Sequence, residues 1–495
     1  LRKSAVALAL LTVAALAWAA PAKGSAYLKV KAFKPHHGRT FVALEASLLV
    51  KFSRAVDVTT VNEQTIFLRK LTGAPVPVTY TEFRDDRIVV LTPVAPLEPA
   101  TDYQIVVRPG LESADGRTLR NERHANFFTQ TRVSPLSILR PDQFSPAADE
   151  MIEGRGAHSA IRLADGRVLL AGGFRDYVVY ALSGDLFDPQ TNDFQPVNGQ
   201  LVVPRAYHPC VRLGAGALLV GGSGASGALD STEAYNDVSR QFSAGPRMLE
   251  ERDFVAAVAL KNGSVFVTGG LHYVTQGAIY SDTAEIYEPS SGTFRFTLHA
   301  PLRRRAGHSL TLLPDGRVLI VGGQSGGTSS PVSAEVFDPE TETFTETTSP
   351  PSVHRQLHTA TLLDATGRVL LVDGGSGLLE MYDQTLDGFY AAGGASSVNR
   401  TGATASLLPD GRVLIAGGLR DPGGASIALD SFDIWVPNGG DNGSVLRASA
   451  VLPEPRYGHT ATTLADDRVL FAGGFGTVDA DSLKSGILFK PDPPK

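Results

Sequence analysis

Cysteine is nearly missing from this 495-residue sequence: Cys210 stands alone. One cysteine closes no intrachain disulfide, so the fold rests on buried apolar surface, which a chain of this length can supply. Cys210 therefore reads as a small buried hydrophobe rather than a reactive thiol. An excess of one charge is missing as well. Lys and Arg number 45 against 51 Asp and Glu, the net charge is −6, and no Lys/Arg block stands out. That balance excludes the electrostatic footprint of a nucleic-acid-binding chain. Helical periodicity is scarce, and beyond residue 22 no apolar run is long enough to cross a membrane.

The N-terminus carries a local signal. "LRK" is a basic start, "SAVALALLTVAALAWAA" holds an apolar run, and Ala17-Trp18-Ala19 and Ala20-Pro21-Ala22 both offer an A-x-A-like cleavage site. The run is short for a span, and no lipid-accepting cysteine follows it. Residues 1–22 are thus expected to be a removed signal peptide and 23–34 a linker. The mature chain is expected to be secreted, periplasmic or on a bacterial cell surface. Glycine (51) and proline (31) are both abundant, as suits a chain of many turns.

Residues 35–131 hold short runs rich in Val, Ile, Thr and aromatics: "ASLLVKFS", "TIFLRK", "PVTYTEF", "RIVVLTP", "DYQIVVRPG" and "ANFFTQT". Each is bounded by Gly, Pro, Asp or Asn, so each reads as a strand. Strands in succession without helices predict a β-sandwich. "VKFSRAVDVTTVNEQTIFL", "DDRIVVLTPVAPLEPATDYQIVV", "DGRTL" and "FFTQT" resemble the bacterial Ig-like domains of surface proteins. The resemblance implies a spacer or mount without catalysis. His36 and His37 have no third ligand in view and read as solvated loop residues.

Residues 132–495 repeat themselves. Apolar runs end on Gly172-Gly173, Gly221-Gly222, Gly269-Gly270, Gly322-Gly323, Gly374-Gly375, Gly417-Gly418 and Gly473-Gly474, 43 to 56 residues apart. A period near fifty with four short strands per unit is the mark of kelch propeller blades, and the stretches "GDLFDP", "TEAYND", "AEIYEP", "AEVFDP" and "LEMYDQ" resemble that family's third strand. A fourth strand starts at Phe194, Phe242, Phe294, Phe344 and Phe389. Asp-Gly or Asn-Gly between the two inner strands predicts a two-residue turn. The seventh unit stops after a third strand, "SGILFKP", while "QFSPAADEM" before the first unit looks like a fourth. Residues Phe144 to Met151 are expected to complete the last blade, because an open sheet edge is normally avoided. The predicted fold is all-β: an Ig-like sandwich followed by a seven-bladed kelch propeller closed by an N-terminal strand.

The units begin "RGAHSA", "RAYHPC", "RDFVAA", "RAGHSL", "RQLHTA", "RTGATA" and "RYGHTA". The arginine recurs in all seven, as Arg155, Arg205, Arg252, Arg305, Arg355, Arg400 and Arg456. The histidine recurs in five, as His158, His208, His308, His358 and His459, with Val255 and Ala403 in the other two. A part repeated in every blade points to architecture, since a catalytic group is needed once. The guanidinium fork suits carbonyls or a carboxylate, and Asp188, Asp237, Glu288, Asp338 and Asp383 are the expected partners. The residue before the histidine varies: Ala157, Tyr207, Phe254, Gly307, Leu357, Gly402 and Gly458. Tyr207 and Phe254, with Arg205, His208 and Arg252, are the candidate contacts of a flat ligand such as a sugar at one end of the axis. Axial packing is the competing role for the two aromatics.

Seven kelch units in a secreted chain also resemble the central domain of galactose oxidase and related copper-radical oxidases. That family implies a cysteine–tyrosine cross-link, a second tyrosine followed by histidine in a late blade, and a histidine from a later domain. Here the radical-tyrosine stretch matches Arg252-Asp253-Phe254, and Phe254 has no hydroxyl. Cys210 is out of register, and the late blades carry Gly402-Ala403 and Gly458-His459. The sequence closes on the seventh unit, so a later histidine is not expected. Copper needs several N/O ligands converging, and one Tyr-His pair is in view. No catalytic residue, metal ligand or cofactor is assigned. The expectation is a monomeric binding or scaffold protein whose propeller loops take a glycan or an extracellular protein, with no nucleic acid and no membrane span. The alternative is a carbohydrate-active enzyme with an axial site, epimerase-like without metal or an oxidase.

Overall fold

The computed structural model describes residues 27–34, 39–42, 48–81, 87–95, 97–98, 101–129, 143–176, 178–275, 277–326, 332–421, 426–437, 443–447, 451–476 and 482–491. The expected signal peptide, His36 and His37 lie outside them. Two compact units divide the chain, the first taking in Arg420–Ser431 and Pro453–Pro455 besides the N-terminal strands.

The N-terminal unit is a sandwich. One sheet orders Val30–Lys34, Leu48–Phe52, Ile88–Pro93 and Val78–Thr81; the other orders Arg39–Val42, Arg123–Thr129, Asp102–Val107, Ile66–Lys70 and Pro75–Val76. Alternation in "LLVKF" sends Leu48, Val50 and Phe52 inward, where they meet Leu68, Val89, Ile105 and Phe127. The expected linker at 23–34 needs correction. Leu28 is in this core and Val30–Lys34 is an edge strand of the first sheet, so the sandwich begins before residue 35.

Seven four-stranded antiparallel sheets follow. In blade one the strands are Ser159–Arg162, Val168–Ala171, Gly184–Asp188 and Asp193–Pro196, paired in that order from the axis outward. The innermost strands touch in sequence, and that of blade seven, Thr460–Thr463, touches that of blade one. Phe144–Pro146 pairs with Gly486–Phe489 as the outer strand of blade seven, so the two ends of the propeller segment share one sheet. Each second strand is buried on both faces, as Val318–Val321 is, because both faces of its sheet are covered by neighbouring blades. One apolar cluster fills each of the seven blade interfaces; Leu260, Phe266, Val318, Ile320 and Phe337 fill that between blades three and four. Each such side chain contributes about 1.5–3 kcal/mol on burial.

The Asp-Gly and Asn-Gly inner hairpins differ from the expected two-residue turn. In blade one Gly166 N–H donates to Leu163 O at 3.2 Å and Leu163 N–H to Arg167 O at 2.8 Å. This is a three-residue loop: an ordinary turn closed by one left-handed residue, Gly166 at φ 92°. The Asp165 carboxylate caps it, accepting Arg167 N–H at 3.0 Å. Blade seven puts Asp467 at φ 68° in the glycine's place, with Asp467 N–H 3.3 Å from Leu464 O. An L-residue there is strained by roughly 1 kcal/mol. Asp467→Gly is expected to stabilise the protein by about that amount, read as a higher Tm with unchanged secondary structure.

Candidate functional site

Every blade is tied at one end by its arginine. All seven are buried, with exposure of 0–1%. Each donates Nη1–H to the carbonyl that ends its own second strand: Gly172, Gly221, Gly269, Gly322, Asp373, Gly417 and Gly473, at 2.7–3.0 Å. In six blades the guanidinium also meets a carboxylate at the start of the third strand: Asp185, Glu233, Glu285, Glu335, Glu380 and Asp433, at 2.6–3.3 Å. These replace the expected partners. Asp188, Glu288, Asp338 and Asp383 come later on the same strands, and Asp188, Asp338 and Asp383 cap the outer turns at the opposite end. Asp237 likewise pairs with Arg167 at 3.1 Å. Ile487 stands where blade seven would carry the acid.

The carboxylates also hold the chain entering each blade. They accept backbone N–H from Ile152, Val202, Leu249, Leu302, Ser352 and Ser397 at 2.7–3.1 Å. The arginine's own carbonyl accepts from the preceding blade: Gly173, Gly222, Gly270, Gly323, Gly374 and Gly418 donate to the next arginine, and Gly474 donates to Arg155 O, closing the circle. This explains the glycine pair. A Cβ on Gly322 (φ 66°) would lie 2.4 Å from Arg355 O. Blade five is one residue out of the expected register: its left-handed pair is Asp373 (φ 60°) and Gly374 (φ 86°). With a side chain in the first slot, Gly374 N–H reaches Arg400 O at 3.3 Å instead of the 2.8–2.9 Å found elsewhere.

The histidines join blades too. His208, His358 and His459 meet Ser159, Ser309 and Thr404 of the preceding blade at 2.9 Å, and His158 meets Thr460 of blade seven at 3.0 Å. His308 faces a blade that offers Ala256 at this place, and neither of its ring nitrogens has a hydrogen bond. Burial, then the adjacent Arg155 or Arg355, pushes His158 and His358 down to about 3, so both rings stay neutral. Where the histidine is absent, the slot on the preceding blade is used otherwise. Met248 packs beside Gly221 ahead of Val255, and Asp373 fits its side chain ahead of Ala403.

Arg205, Arg252 and His208 are therefore withdrawn from the ligand candidates, because they are buried and engaged by the blades. Tyr207 and Phe254 stay half-buried near the axis, at φ 52° and 50°. Their rings stack on each other, centroids 4.3 Å apart, and Phe174 meets Tyr207 edge-on at 5.7 Å. Sequence reading missed Asp253 beside them. Gly156, Ala206, Ala306, Gln356, Thr401 and Tyr457 occupy its position in the other units, so the signal was a single acid in a seven-fold column. Asp253 is fully buried; Oδ1 accepts Phe254 N–H at 2.8 Å and Oδ2 has no hydrogen-bond partner. Burial pushes its carboxyl up to about 7. The hydroxyl of Tyr180 donates to Gly224 O at 3.0 Å nearby, and the Asp253 charge adds to burial in raising Tyr273.

The long loops, the entering segments and the axial residues all lie at this end of the blades. Aliphatic side chains are exposed across it. Ile152, Val202, Leu249 and Leu302, three residues before the arginines of four successive blades, are 46–58% exposed. Val178 and Ile279 add to them from the loops. At the opposite, tight-turn end the exposed aliphatics among the described residues are Val238 and Leu386.

Comparison with known proteins matches this architecture. Residues 25–129 match the model of the bacterial Ig-like domain, and residues 304–351 match the Kelch motif. The chain carries a bacterial Ig-like domain and a Kelch motif. No curated protein matches it. Among solved structures the chain resembles a fungal alcohol oxidase of the AA5 family in complex with copper, at 15% identity and a TM-score of 0.55, over 69% of this chain and 75% of that one. The likeness is one of fold. Among the described residues no three His, Cys, Asp or Glu side chains converge on one point. The Kelch histidines are spent one to an interface, and burial pushes the Cys210 thiol up to about 12.

Two expectations follow. Arg305→Leu leaves Glu335 buried without its cation and costs about 3–5 kcal/mol, and Arg305→Leu/Glu335→Leu recovers most of that, both read by chemical denaturation. Asp253 carries a folded pKa above its unfolded one, so its stabilising share is present below pH 4 and is lost as pH rises through about 7. Asp253→Asn keeps the bond to Phe254 and removes that loss. Its Tm should exceed the parent's by a margin that grows between pH 5 and pH 8, up to about 4 kcal/mol in stability.

Proposed function

We propose that the protein is a secreted or cell-surface binding protein whose Kelch propeller docks a protein partner on its loop face, with the Ig-like domain as mount. The observation that carries this is the row Ile152, Val202, Leu249 and Leu302. Four aliphatic side chains stand exposed at one repeated position of successive blades, with Val178 and Ile279 exposed on loops at the same end, whereas the opposite end exposes Val238 and Leu386 among the described residues. A glycan calls for exposed aromatic faces and hydroxyl partners; here the two axial aromatics face each other. Kelch domains commonly mediate protein binding, and a bacterial Ig-like domain is compatible with an extracellular setting. Among the described residues no helix is long and apolar enough to cross a membrane.

A second reading rests on Asp253. A buried carboxyl beside a stacked Tyr-Phe pair, present in one blade of seven, supports an axial site for a small hydroxylated ligand, and with it the carbohydrate-active enzyme. One experiment separates the two. A photo-crosslinking residue placed at Val202 or Leu302 should capture one defined protein from the native envelope, and the same residue at Val238 or Leu386 should not. A glycan array should stay silent. Glycan binding that is lost in Tyr207→Ala and Phe254→Ala, with no site-dependent crosslink, would replace the first reading with the second.

A further inference from the structure

The Ig-like domain holds a feature that a spacer does not need. A cavity of about 520 Å³ is lined by Lys29, Lys31, Arg54 and Arg87, with Tyr27 and Asp115 at its wall. The strands bring these cations together. Ser53 N–H donates to Lys29 O at 2.9 Å, and Phe52 N–H donates to Arg87 O at 2.8 Å. Lys31 is the extra residue of a bulge: Val30 pairs with Phe52 and Ala32 with Lys51, so Lys31 has no partner in the ladder. Bulges re-aim side chains, and this one adds a cation to the concavity.

The carboxylate at the wall is already engaged. Asp115 accepts Arg54 at 2.8 Å, Arg117 at 3.1 Å and the Ser113 hydroxyl at 2.6 Å. Lys29, Lys31 and Arg87 therefore converge on the cavity with no described carboxylate to balance them. The chain as a whole carries −6, so this concentration of positive charge opposes the protein's own balance. Like charges gathered in one concavity repel and lower stability unless a counter-ion joins them. Guanidinium forks match phosphate oxygens in pairs and lysine serves them as a point charge. The concavity is open to solvent and lined by cations, so it suits a charged group reaching in from outside rather than an enclosed apolar ligand.

We infer that this cavity on the Ig-like domain binds the phosphate groups of an anionic chain. The site is built from residues of the Ig-like domain alone, so its test stands or falls independently of the loop-face reading.

The test uses the full chain and inorganic tripolyphosphate, with binding measured by calorimetry at low and at 0.5 M salt. The parent should bind, and more weakly at high salt. Lys31→Ala and Arg87→Ala should each weaken binding at least tenfold while holding or raising Tm. Lys51→Ala, an exposed lysine outside the cavity, should bind as the parent does. A glycerol-phosphate polymer should compete with tripolyphosphate, and polyglutamate of equal charge should compete at least tenfold less well. No binding by the parent, equal loss in Lys51→Ala, or equal competition by polyglutamate would each overturn the assignment.

Discussion

The buried arginine at the head of each blade is the interaction on which the rest depends. Its guanidinium holds the end of its own second strand and, in six blades, the acid that starts the third. Its carbonyl takes the N–H of the preceding blade's exit glycine. One residue thus fixes both the inside of a sheet and the step to its neighbour. A buried ion pair is a poor source of net stability, since desolvation offsets most of the attraction. What it supplies here is geometry: a charge with several demanding donors accepts one arrangement of strand ends, whereas apolar interfaces of Val, Leu and Phe tolerate sliding. Blade seven drops the acid for Ile487. It is also the blade whose outer strand comes from Phe144–Pro146, so its closure is secured by a strand from the far end of the propeller segment.

The axis shows the same economy. Residues 157, 207, 254, 307, 357, 402 and 458 all have positive φ. Tyr207 N–H donates to Ala157 O, Gly307 to Phe254, Leu357 to Gly307, Gly402 to Leu357, and Ala157 back to Gly458. Glycine adopts this conformation freely, and three blades use it. Ala157, Tyr207, Phe254 and Leu357 adopt it under strain. Alanine has little to gain from a side chain at the axis, but Tyr207 and Phe254 recover part of the strain by stacking. The positive φ belongs to every blade and is architectural; what is peculiar to this place is the stacked pair with the buried Asp253 next to it.

Much of this was legible in the sequence because it repeats. The glycine pairs, the arginine column and the closing strand are each visible as a position that recurs or a strand that is missing. The errors came where one unit departs from the average or where a choice lay between neighbours. Sequence reading took the later acid of each third strand as the arginine's partner, although the two acids lie within four residues of each other on opposite ends of one strand. It took Gly374-Gly375 as the exit of blade five, because nothing in the letters says that Asp373 tolerates a left-handed φ once Ala403 replaces the next histidine. Lys29 and Lys31 were lost in a presumed linker, since a bulged edge strand has no clean alternation to reveal it. Asp253 was written in plain view within "RDFVAA", and comparing the seven columns for charge would have found it.

Likeness of fold to a copper oxidase carries no chemistry into this chain, and the reason lies in how the blades spend their donors. A metal site needs nitrogen and oxygen ligands freed from structural duty and turned to one point. Here the repeated histidines are neutral and set between blades, four of them facing a serine or threonine, and the repeated acids each answer an arginine. Using these repeated donors for metal chemistry would release several of them at once, at the cost of the joints they make. Binding by the loops requires none of that. In the entering segments Ile152, Val202, Leu249 and Leu302 are tied to the clamps through backbone N–H alone, so their side chains change without disturbing the ring, and these are the exposed aliphatics.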